Sequence, residues 1–177
     1  SLQTGFSTLS SGSVSLGSGS ALHGRSGTLS LQSGIARLDS SGSVVIQTGR
    51  STAQSGSIIL KGGSSGDSNG GNVAVSSGKG YKSSGSMQML TAASNVGSTG
   101  DIFTSSGDAL LSSGGIKIIT GKSISGKSGD INLKGGSSND KGGNIVIASG
   151  KSSSSTGGTI ELASGMSEFG HGGDVKV

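Results

Sequence analysis

GDINLKGGSSNDKGGNIVIASG, Gly129 to Gly150, joins two kinds of text. DINL (130–133) and NIVI (144–147) place aliphatic residues two apart, the alternation of a half-buried β-strand. Between them, KGGSSNDKGG (134–143) has the composition of a flexible linker. Strands joined by linkers alone make a fold only if the pattern recurs.

It recurs twelve times. The Gly ahead of each strand stands at 12, 27, 42, 56, 71, 85, 100, 114, 129, 143, 158 and 173, at spacings of 14 or 15. Each of these marker glycines is followed by the phrase x-apolar-x-apolar. Of the 24 apolar positions so defined, 23 are Val, Leu, Ile or Met, and Thr104 is the exception. A second Gly follows three residues after the second apolar one, at 5, 19, 34, 49, 63, 78, 107, 121, 136, 150 and 165, with Ala92 in the remaining repeat. Gly permits positive φ or close backbone approach, so glycines at both ends of a strand signal corners. Those singled out are Gly56, Gly85, Gly114 and Gly143 before strands, and Gly63, Gly121 and Gly150 after them.

From Gly27 to Gly143, markers two apart differ by 29 throughout. The expected fold is therefore all-β: a parallel β-solenoid, or β-helix, of 14/15-residue repeats with two repeats, 29 residues, in each coil. Its thin core would be Val44, Ile46, Val73, Val75, Ile102, Ile131 and Leu133 facing Ile58, Leu60, Ile116, Ile118, Ile145 and Ile147. About six such coils would form a rod roughly 28 Å long. In the rival arrangement each repeat is a coil and the Ser-rich segment is the second wall, using Leu9, Leu22, Leu38, Val96, Leu110, Ile124 and Phe169. That wall has no apolar residue in GSSNDKG or GKSSSSTG and would bury its strand poorly, so the 29-residue coil is favoured. Residues 1–177 read as one continuous segment; beginning in SLQTG and ending in DVKV, within the pattern, they are expected to be a slice of a longer array.

Composition narrows function. Gly (37) and Ser (43) fill much of the chain, Pro, Trp and Cys are absent, and Phe6, Tyr81, Phe103 and Phe169 are the aromatic residues. Cys-ligated metal sites and disulfides are thereby excluded. Thirteen basic residues against nine acidic ones give a mild +4, dispersed and without aromatic neighbours, which is weak support for nucleic-acid binding. No apolar run is long enough to span a membrane.

Candidate chemistry is sparse. Asp101 and Asp130 follow their marker glycines, with Asn72 in the same 29-residue column; stacked carboxylates would invite calcium, although capping of the turn backbone by short polar side chains is the favoured account of such residues. Arg50, Lys79, Lys122 and Lys151 follow corner glycines and could meet an anionic polysaccharide. His23 and His171 lie near the two ends with no insertion to build a pocket, so no catalytic or cofactor-binding residue is assigned and an enzyme is not expected. Outward strand positions carry no regular rank of Thr, which argues against ice binding. None of the six Asn residues begins a glycosylation sequon, whereas clusters such as GKSSSSTGG are open to O-glycosylation.

Phrases such as GGTIELASG (157–165) and GGNIVIASG (142–150) resemble the Ser/Gly-rich β-solenoid repeats of very large secreted surface proteins of diatoms and related algae. They are more loosely similar to filamentous-haemagglutinin-type adhesins. The resemblance covers essentially the whole chain and implies an extracellular or cell-surface location and a structural role in a filament, cell wall or matrix. It transfers no catalytic residue. The expectation is a structural protein that associates with itself end to end and laterally, with glycans or polysaccharide as further partners; the alternative is an adhesin stalk or a rod binding polysaccharide or mineral surfaces.

Overall fold

The computed structural model describes residues 2–177. Among them there is no helix and no β-strand, so the β-solenoid (β-helix) expectation is overturned: the chain is coil-like throughout. A strand exists by pairing its N–H and C=O groups with a neighbour in a continuous ladder. Among the described residues the backbone-to-backbone hydrogen bonds are five isolated ones, in which Gly71, Gly85, Gly143, Gly158 and Gly173 donate to the carbonyls of Gly63, Gly78, Gly136, Gly150 and Gly165 at 2.8–2.9 Å. Each bond joins a marker glycine to the corner glycine before it, and no second bond follows to begin a ladder.

The core expected from the sequence is likewise not assembled. Val44, Ile58, Val73, Ile102, Ile116, Ile131 and Ile145 are 50–60% exposed, and Ile46, Leu60, Val75, Ile118, Leu133 and Ile147 are 64–72% exposed. The side chains of the rival wall, from Leu9 to Phe169, are exposed almost completely. No described residue is buried, and the accessible surface of 18371 Å² is more than twice the roughly 7,700 Å² of a compact protein of this mass. The physical reason lies in composition. About three aliphatic side chains in each 14 or 15 residues, among Gly and Ser, are too few to offset the ordering of so flexible a backbone.

What the chain does have is a local unit repeated without omission. The chain divides into two units, Ser1–Met89 and Leu90–Val177. Bends begin at residues 8, 22, 37, 52, 66 and 81 in the first and at 95, 110, 124, 139, 153 and 168 in the second. Every bend lies between a corner residue and the next marker glycine. From marker to corner the step is always seven residues, whereas the bent loop from corner to marker takes seven or eight, so the loop alone produces the 14/15 alternation. Loops of the shorter step bend over two residues and those of the longer step over three.

The loop closes at a neck. A Cβ built on any marker glycine would have its nearest neighbour 3.1–3.9 Å away, in the corner residue or the one before it: Thr4 for Gly12, Ser18 for Gly27, Thr120 for Gly129. In two repeats the residue before the corner is itself Gly, and there the backbones come closer. A Cβ on Gly62 would collide with the carbonyl of Gly71, and one on Gly135 would stand 2.5 Å from the carbonyl oxygen of Gly143.

The corner glycines behave differently. None of the described residues has a positive φ, and an added Cβ at each of the eleven corner glycines, Gly63, Gly121 and Gly150 among them, meets nothing within 4 Å. Their expected role as sterically required corners therefore has no counterpart within the chain, which accounts for the tolerance of Ala92. Gly56, Gly85, Gly114 and Gly143 do sit at close approaches.

Gly135→Ala is expected to open the neck of its loop and Gly136→Ala to leave it closed. The check is amide hydrogen exchange at Gly143, accelerated about fivefold in the first variant, as for the loss of a hydrogen bond worth ~1 kcal/mol, and unchanged in the second.

Candidate functional site

No pocket is present among the described residues, and no three His, Cys, Asp or Glu side chains gather there as a metal cage would require. The features available to act on a partner are therefore those of the repeat itself: its bend, its charged loop residues and its apolar positions.

The bend is held by Ser. Two residues after the corner stand Ser7, Ser51, Ser65, Ser94, Ser123, Ser138, Ser152 and Ser167, and the Oγ of each accepts a backbone N–H from within the same loop at 2.9–3.3 Å. Ser hydroxyls close turns in this way because a short side chain can stand in for a backbone carbonyl. Loop length selects the donor. In the shorter loops Ser7, Ser51 and Ser138 take the N–H two residues on, from Leu9, Ala53 and Asp140. In the longer loops Ser65, Ser94, Ser123, Ser152 and Ser167 take it three residues on, from Ser68, Gly97, Gly126, Ser155 and Gly170. The extra residue is thus inserted inside the turn that the hydroxyl closes.

Ala21, Ala36, Gly80 and Ala109 occupy that slot in the other four loops, which bend without it. In one of them Asp39 Oδ1 accepts the N–H of Ser40 at 2.7 Å. The Ser slot was legible as a fixed offset from the corner glycine, but the abundance of Ser everywhere hides it from composition.

Of the two acidic candidates, Asp130 is engaged by a cation of the chain itself. Lys127 Nζ donates to Asp130 Oδ2 at 3.0 Å across the marker Gly129, both side chains being largely exposed. An exposed pair of this kind contributes under about 1 kcal/mol. Asp101, in the corresponding position of another repeat, is exposed. Arg50, Lys79, Lys122 and Lys151 all lie exposed just beyond their corners.

The apolar positions carry the clearest signature. The first of each pair is the most shielded large apolar residue of its repeat, 47–60% exposed from Val14 to Val175. Residues between and beyond, such as Phe103, Ile119 and Val146, are 83–86% exposed. The first apolar position of each segment thus forms a row of side chains half covered by the chain's own neighbouring groups and half open, whereas the second, at 61–73% from Leu16 to Leu162, is little more shielded than some of its neighbours.

Comparison with family models, with curated proteins and with solved structures gives no match to this chain.

Two changes in the loop from Gly150 to Gly158 test the turn. Ser152→Ala is expected to free the Ser155 amide, raising its exchange rate a few-fold, in keeping with a net ~0.5–1 kcal/mol for an exposed hydrogen bond. Deleting Ser154 should shorten the loop to the other class, so that the Ser152 hydroxyl takes its proton from the residue two on; nuclear magnetic resonance of the loop amides distinguishes the two patterns.

Proposed function

We propose that this chain is a non-catalytic structural segment of an extracellular or cell-surface fibre, cell wall or matrix, in which the repeated unit and not any single site is the working part. One observation carries the proposal. Bend, neck and half-open aliphatic position recur in all twelve repeats with a constant segment step, so any contact made by one repeat is offered again by the others every 14 or 15 residues. An array of that kind multiplies weak contacts into a durable one. Ser and Gly suit it to a hydrated material, since the loops present hydroxyls and backbone to water.

A stalk that binds anionic polysaccharide is the second proposal, favoured by Arg50, Lys79, Lys122 and Lys151 at equivalent places in their loops. Charge restricts it. Residues 1–89 hold six basic and two acidic residues, residues 90–177 seven of each, so the whole surplus of +4 falls in the first unit. Polysaccharide binding would accordingly concentrate there.

Immunogold labelling of intact, unpermeabilised cells that make the protein tests the first proposal. Label on external fibres or wall is the expected outcome; label confined to the cell interior would refute it.

A further inference from the structure

We infer that the half-open aliphatic row of the second unit, Leu90–Val177, together with its corner glycines, is a docking face for a second copy of the same chain. The inference rests on the structural role just proposed and names the partner through which the chain would build a material.

Three observations converge on a second copy. The first is the pattern of glycines. Gly107, Gly121, Gly136, Gly150 and Gly165 recur at the same place in successive repeats, yet none has a positive φ and a Cβ on any of them would meet nothing within 4 Å. Nothing within the chain explains a glycine there. A glycine in an extended segment often marks close approach of a ligand or another backbone.

The second is the chemistry of the row beside them. Ile102, Ile116, Ile131, Ile145, Ile160 and Val175 are 47–57% exposed, and between the marker N–H and the corner C=O that close the necks, the N–H and C=O groups of these segments have no backbone partner among the described residues. Apolar surface next to unpaired backbone suits an extended partner that supplies both. The partner must also repeat its apolar residues with the same segment and loop steps, which a second copy does by identity.

The third is charge. With seven basic and seven acidic residues the second unit is neutral, so two copies approach without net repulsion, whereas the first unit, at +4, repels its own kind.

Area sets the strength. Each half-open aliphatic side chain offers about 50 Å², and the six in this unit together roughly 300 Å², below the ~800 Å² per partner of a standard stable interface. The contact between two copies is therefore weak and concentration-dependent.

Sedimentation equilibrium of the full chain tests this. The wild type is expected to rise above its monomer mass of 16.9 kDa between about 10 μM and 1 mM, the range of an interface this small. The double variants Gly136→Ala with Gly150→Ala, and Ile131→Lys with Ile160→Lys, should each weaken association at least ~10-fold while Gly143 and Gly158 keep protected amides. The corresponding pair in the first unit, Leu29→Lys with Ile58→Lys, should weaken it less. Wild type that stays monomeric at 1 mM, either second-unit variant associating like wild type, or row-dependent binding to neutral lipid vesicles in place of self-association would each overturn the inference. External labelling with a monomeric chain would sink the docking face and leave the structural role standing; internal labelling with row-dependent association would do the reverse.

Discussion

How closely two stretches of backbone can approach at the neck of each loop governs the rest of this chain. The marker glycine meets the corner residue or its predecessor at near van der Waals distance in every repeat, and at Gly62 and Gly135 the fit excludes even a methyl group. Because the neck is narrow, the residues between corner and marker must reverse direction within seven or eight steps. Because it is closed by at most one backbone bond, the segments on either side are held near each other at one point only. Close approach at a point makes a bend; a second bond would have begun a sheet.

The bend then adapts to length without disturbing its surroundings. In the shorter loops Ser138 and its counterparts reach two residues ahead, in the longer ones Ser152 and its counterparts reach three. A one-residue insertion is absorbed where the hydroxyl closes the turn, and the segment step stays at seven. Four loops bend with Ala or Gly in the Ser slot, so the hydroxyl reinforces a reversal that the neck has already imposed.

Much of this was legible in the residues. The repeat, the position of each bend and the alternation of shielded and open side chains all follow from the spacing of glycines and aliphatics, and Ile131 and Ile145 stand out in the structure as they do in GDINLKGGSSNDKGGNIVIASG. The partner of each row was not legible. Periodicity gives a segment one apolar face; neither it nor the 29-residue spacing determines whether that face meets another segment of the same chain. The corner glycines misled for a related reason. Gly63 and Gly121 were read as corners needing positive φ or tight packing, and neither condition holds inside the chain. Of the candidate site, the Asp130 position was visible as a slot after the marker, whereas its pairing with Lys127 across Gly129 depended on the local course of the backbone.

The row and the corner glycines have one physical feature in common. A folded monomer explains its own glycines and its own apolar rows, since each glycine has a neighbour it makes room for and each row is covered. Here both kinds of residue recur with one exception each, Ala92 at a corner and Thr104 among the paired apolar positions, and the chain's own backbone uses neither fully. The aliphatic side chains beyond the rows, such as Leu38 and Leu110, are wholly open and irregular from repeat to repeat, as expected of positions that answer to nothing. Regularity is confined to the row, the neck and the corner. Of these the neck is satisfied internally. The row and the corner are left as a pair of positions, repeated along each unit, that the described residues do not fill.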